Sequence, residues 1–122
     1  MGQLFLKIAV VYLFIGVCVG FYMGITGNFL MAPVHAHLLL LGWATLALAG
    51  VIYHLYPAAA GTRLAKIHCW LHNLGLPVFM LGLGSFLVGH AGAMPVVIAG
   101  ASAALIGLAF FMVNVLLHVK SR

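Results

Sequence analysis

The chain contains no Asp and no Glu among its 122 residues, and only five Lys and Arg. Soluble domains carry about 25% charged residues, so no water-soluble surface can be built from this composition. The missing carboxylates also weigh against a proton relay, since buried relays in membranes ordinarily include Asp or Glu. Cysteine is scarce too: Cys18 and Cys69 are the only two. They fall in different apolar segments at different depths, which argues against a disulfide and for small packing residues. A CxxCH motif is absent, so any haem is not attached covalently in the c-type manner.

What is present is apolar sequence, 66% of the chain. A spanning helix needs about 20 residues at about 1.5 Å each, so four spans with short loops use nearly the whole length. The apolar runs predict spans over Leu4–Ile25, Pro33–Leu55, Leu64–Val88 and Met94–Val119 in a single transmembrane domain, an all-α membrane four-helix bundle. The first run is too long for a signal peptide and lacks a small-x-small cleavage site.

The net charge of +5 is dispersed at segment ends rather than gathered on one face, which points to orientation and not to nucleic acid. Lys7 opens the first span, Arg63 and Lys66 lie in the second connection, and Lys120 and Arg122 end the chain. All five then share one side, which the positive-inside bias makes cytoplasmic, with Lys7 snorkelling to the interface. The expectation is a multi-pass protein of a bacterial inner membrane, embedded in lipid, with both termini in the cytoplasm.

Gly16, Gly20 and Gly24 form a smooth stripe that suits either packing within the bundle or a subunit interface. Pro33 and Pro57 bracket the second span, and Pro77, inside the third, should kink it by removing the bond to the Asn73 carbonyl.

Seven histidines carry the chemistry, because each imidazole placed in hydrocarbon must find a partner. His35, His37 and His90 lie toward the outer face, and His54, His68, His72 and His118 toward the cytoplasmic one. Imidazole ligates iron and copper without bringing charge into the membrane. His35 and His37 diverge by about 200° on a regular helix, so they serve different sites. His68 and His72 share a face, and His90 returns to nearly the same direction eighteen residues after His72. His72, about 12 Å into its span, is the inner-layer candidate. His54 and His118, at helix ends, suit an interfacial role. Tyr53, Tyr56 and Trp70 read as an aromatic belt, while the deeper Trp43 suits core packing or a porphyrin edge.

The segment His35-Ala-His37-Leu38-Leu39-Leu40-Leu41-Gly42-Trp43 resembles the haem-ligating helices of the haem-copper oxidase superfamily, particularly subunit I. The resemblance covers the second span. It implies one four-helix unit of the pseudo-threefold, twelve-helix subunit, hence a homotrimer, with b-type haem held by His37 or His35 facing a counterpart in the next copy. The adjacent histidine pair and the His-Pro-Glu-x-Tyr segment of that family's copper centre are missing, so oxygen reduction is not implied.

Three readings follow. The first is a b-type haem protein for electron transfer, with a redox partner, or for binding a diatomic gas, its ligands drawn from His37, His35, His72 and His90, with Trp43 against the porphyrin. The second is a copper or other transition-metal carrier using His35, His37, His90 and Met31 or Met94. The third is an assembly subunit without a cofactor.

Overall fold

The computed structural model describes residues 1–121, and Arg122 lies outside them, so its place among the basic residues is an expectation from sequence alone. The chain is all-helical. Among the described residues, four helices are long and apolar enough to cross a membrane: α1 (Gly2–Thr26), α2 (Ala32–Leu55), α3 (Arg63–Leu87) and α4 (Met94–His118). Each begins within two residues of the bounds expected from the apolar runs. Their outward faces keep large apolar side chains uncovered, with Phe14 71%, Leu81 74% and Leu116 74% exposed, as contact with hydrocarbon requires.

The helices form two antiparallel hairpins, α1 against α2 and α3 against α4. The second hairpin is the tighter. Gly75 and Gly82 on α3, and Gly100 and Gly107 on α4, recur seven residues apart and bring the backbones together. A Cβ on Gly75 would stand 2.8 Å from the Ala103 Cβ, one on Gly82 2.9 Å from the Val97 nitrogen, and one on Gly100 against the Phe79 backbone. Among apolar lipid tails, such close van der Waals approach supplies helix association. The stripe expected from sequence is a different one, and two of its three glycines pack inside the chain. Gly16 faces Leu39 and Gly20 faces the His35 ring, while Gly24 meets nothing within 4 Å.

One end of the bundle holds the core. Gly2 lies against Gly50 and His54, and Phe5, Ala9, Leu46, Ala49, Tyr53, Ala59 and Ala65 form a buried cluster that Trp43 packs against. The start of α1, the end of α2, the start of α3 and the end of α4 therefore lie together. Lys7, Arg63, Lys66 and Lys120 share that end.

Thr62 caps α3: its hydroxyl accepts the Ala65 N–H at 3.1 Å and lies 2.9 Å from the Ala59 carbonyl and 3.1 Å from Asn114 Oδ1. Buried Asn114 donates to the Ala59 carbonyl at 3.0 Å, which ties the second connection to α4. Pro33 occupies the first turn of α2, and Pro57 opens a single helical turn, Pro57–Ala60, just past its end. α3 runs as one helix from Arg63 to Leu87 with Pro77 inside it.

The middle of α2 departs from the regular helix assumed from sequence. Leu38–Ala44 forms a π-helical segment between α-helical Ala32–His37 and Thr45–Leu55. The wider turn opens its carbonyls to side chains: Thr45 Oγ1 donates to Leu40 at 2.6 Å. π-segments within helices are frequent at functional sites.

Candidate functional site

The seven histidines separate by how their ring nitrogens are used. His68 and His72 are both completely buried and bonded at both nitrogens. His72 Nε2 donates to the Leu41 carbonyl in the π-segment at 2.9 Å. A carbonyl only accepts, so the His72 proton sits on Nε2 and Nδ1 presents a lone pair. His68 Nε2 donates to that lone pair at 3.1 Å, leaving His68 Nδ1 to accept from the Tyr53 hydroxyl at 2.8 Å. Three donors meet three acceptors in one direction, with one N–H on each ring, and the chain of bonds ties α2 to α3 at two depths.

All four helices converge on His68. Its ring stacks on Phe5 of α1 at a centroid distance of 5.3 Å and on Phe111 of α4 at 4.7 Å, with Tyr53 of α2 at 5.8 Å. Tyr53 is 2% exposed and is a core donor, not the interfacial belt residue that its position near a helix end suggested. Trp70 is 67% exposed. Trp43 is half-buried against the core cluster.

His35 and His37 behave differently. His35 Nδ1 donates to the Gly16 carbonyl at 2.8 Å, and its ring fills the space left open by Gly20. His37 Nδ1 donates to the Pro33 carbonyl at 2.6 Å and meets Phe79 of α3 edge-on at 5.0 Å. One ring faces α1 and the other α3, as the roughly 200° divergence predicts, because the α-helical turn carrying both ends at His37 before the π-segment begins. Each has its Nδ1 proton on a carbonyl and its Nε2 lone pair unengaged.

His90 does not continue the face of His72. α3 ends at Leu87, Gly89 adopts φ 110°, and His90 lies beyond the turn, exposed, with Nδ1 donating to the Ser85 carbonyl at 3.2 Å. A face extrapolated through eighteen residues holds only while the helix does, and the glycine breaks it. His118 donates to the Asn114 carbonyl at 3.3 Å, and His54 is exposed at the end of α2.

Of the residues put forward from sequence, His35 and His37 share one helical turn, whereas His72 stands deeper with both nitrogens committed and His90 lies outside the helix. Among the described residues, no three of His, Cys, Asp or Glu come together to hold a metal ion. Cys18 and Cys69 are free thiols. Tyr53, Phe5, Phe111 and the π-segment carry the buried histidine pair; of these, Phe5 and Phe111 were not singled out from sequence, Tyr53 was read as a belt residue, and the α2 segment was read as a regular helix. The one available signal was that His68 and His72 share a helix face opposite a tyrosine-bearing span. The chain matches no protein-family model, no curated protein and no solved structure.

Proposed function

We propose that the chain is a membrane b-type haem protein whose axial imidazoles come from His37 and His35, acting in electron transfer or in binding a diatomic gas. The observation that carries the reading is the state of these two rings. Each gives its Nδ1 proton to a backbone carbonyl, Gly16 for His35 and Pro33 for His37, and keeps Nε2 as a free lone pair. Metal-ligating histidines are oriented in this way, with the second nitrogen bonded to a carbonyl that fixes tautomer and ring plane. The donor set also suits the medium, because neutral imidazole adds no charge to a chain without carboxylates.

A haem requires one or two imidazoles per iron, which rings on separate faces of α2 provide as half-sites. Completion of each half-site by a neighbouring copy is consistent with a homotrimer. When bound, haem supplies a one-electron iron couple, or an open coordination position for oxygen or nitric oxide if only one axial ligand is protein. His72 enters this scheme as support: its Nε2–H fixes the π-segment at Leu41, one turn beyond His37. The gathering of basic residues at one end of the bundle supports, by the positive-inside bias, a bacterial inner-membrane protein with both termini in the cytoplasm. A redox partner would then exchange electrons with the haem.

The test is optical. Protein purified in mild detergent after expression with ample haem should show a Soret band and reduced b-type bands. His37→Ala should abolish or shift them, and His72→Ala should retain them in a less stable protein. Colourless wild-type protein, or unchanged spectra in both His35→Ala and His37→Ala, would reject the reading.

A further inference from the structure

An open groove of about 610 Å3 separates α1 from α3. Val11, Tyr12 and Ile15 line one wall, Pro77, Met80 and Leu81 the other, and Lys7 stands at one end. Its volume is within the range of roughly 300–1,000 Å3 typical of small-molecule sites. The walls are apolar, and Lys7 is the one charged residue among those that line it. α1 is 25 residues long, about 37 Å, and therefore overhangs a hydrocarbon layer of about 30 Å by a few ångströms at each end. Lys7 is five residues, about 8 Å, from the start of the helix. Its Cβ tilts toward the helix N-terminus, so the long side chain can reach headgroup level with its ammonium. Ile15 lies about 12 Å deeper, at the depth of acyl chains.

We propose that this groove seats one acyl chain of an anionic phospholipid whose phosphate is held by Lys7. Charge decides the occupant. The chain contains no Asp or Glu, so no side chain within it can neutralise Lys7, and the anion must come from outside. At headgroup level beside a hydrocarbon groove, the lipid phosphate is the anion that also brings an apolar tail. The lipid belongs to the leaflet nearest the chain termini. The proposal is independent of haem binding.

Native mass spectrometry of the full chain, released from detergent with equal amounts of phosphatidylglycerol and phosphatidylcholine of identical acyl chains, tests it. One phosphatidylglycerol should be retained, with a preference of about fivefold, the factor expected for one Lys at an anionic surface. Lys7→Gln should remove the preference, and Val11→Trp, which fills the groove while keeping the cation, should lower retention of both lipids. Both positions are exposed, so neither change disturbs the core. Equal retention of the two lipids, or an undiminished preference in Lys7→Gln, would overturn the proposal. So would unchanged retention in Val11→Trp, or cross-links from Val11 to a second copy in lipid-free protein.

Discussion

Replacing Tyr53 by Phe removes one hydroxyl and leaves the packing in place. The ring keeps its contacts with Phe5 and Phe111, at centroid distances of 5.4 and 5.6 Å. What changes is the donor for His68 Nδ1, 2.8 Å away. No other proton arrangement restores it. Leu41 still requires the His72 Nε2 proton, His72 Nδ1 still requires the His68 Nε2 proton, and His68 Nδ1 therefore stays a bare lone pair. The ring is fully buried between two phenyl rings, so water has no route to it. An unsatisfied buried acceptor costs about 1–3 kcal/mol, whereas hydrogen bonds between membrane helices average about 0.6 kcal/mol because the unfolded state finds other partners. The absence of any alternative partner favours the upper part of the membrane range, about 1–2 kcal/mol. At roughly 4 °C per kcal/mol for a chain of this length, melting falls by about 4–8 °C. Thermal unfolding in detergent measures the shift, with Tyr56→Phe at a half-buried position as the control. Nitrogen NMR of the imidazoles should find both His68 and His72 protonated on Nε2. A Tyr53→Phe protein that melts with the wild type, or a His72 carrying its proton on Nδ1, would refute the reasoning.

Three further substitutions separate packing from capping. Gly100→Ala places a Cβ against the Phe79 backbone, which cannot rotate away, so the α3–α4 pair must part at an overpacking cost of about 1–3 kcal/mol. Gly84→Ala, with nothing within 4 Å of its Cβ, should be neutral or gain up to about 1 kcal/mol of helix propensity, and the difference in melting between the two checks the close approach. Thr62→Ala removes the α3 cap and the hydroxyl beside Ala59 and Asn114. It should destabilise by about 0.5–2 kcal/mol and raise hydrogen exchange at the Ala65 amide.

Apolar run length and composition are local properties, and they determined the four helices, their antiparallel order and the shared end of Lys7, Arg63, Lys66 and Lys120. Helical angle over two residues is equally local, which is why the opposite facing of His35 and His37 was legible. The same arithmetic misled at His90, because it assumes an uninterrupted helix and Gly89 ends it. The close α3–α4 contact lay hidden in glycines spaced by seven on two helices, a pattern that gains meaning only once the pair is known.

Only the tertiary structure decided which histidines are already satisfied. His68 and Tyr53 are fifteen residues apart, and His72 and Leu41 thirty-one. An imidazole reads the same in sequence whether a distant carbonyl has claimed its second nitrogen or left it free. The distinction depends on how helices meet in space, and on a π-segment that turns one backbone carbonyl toward a neighbouring helix.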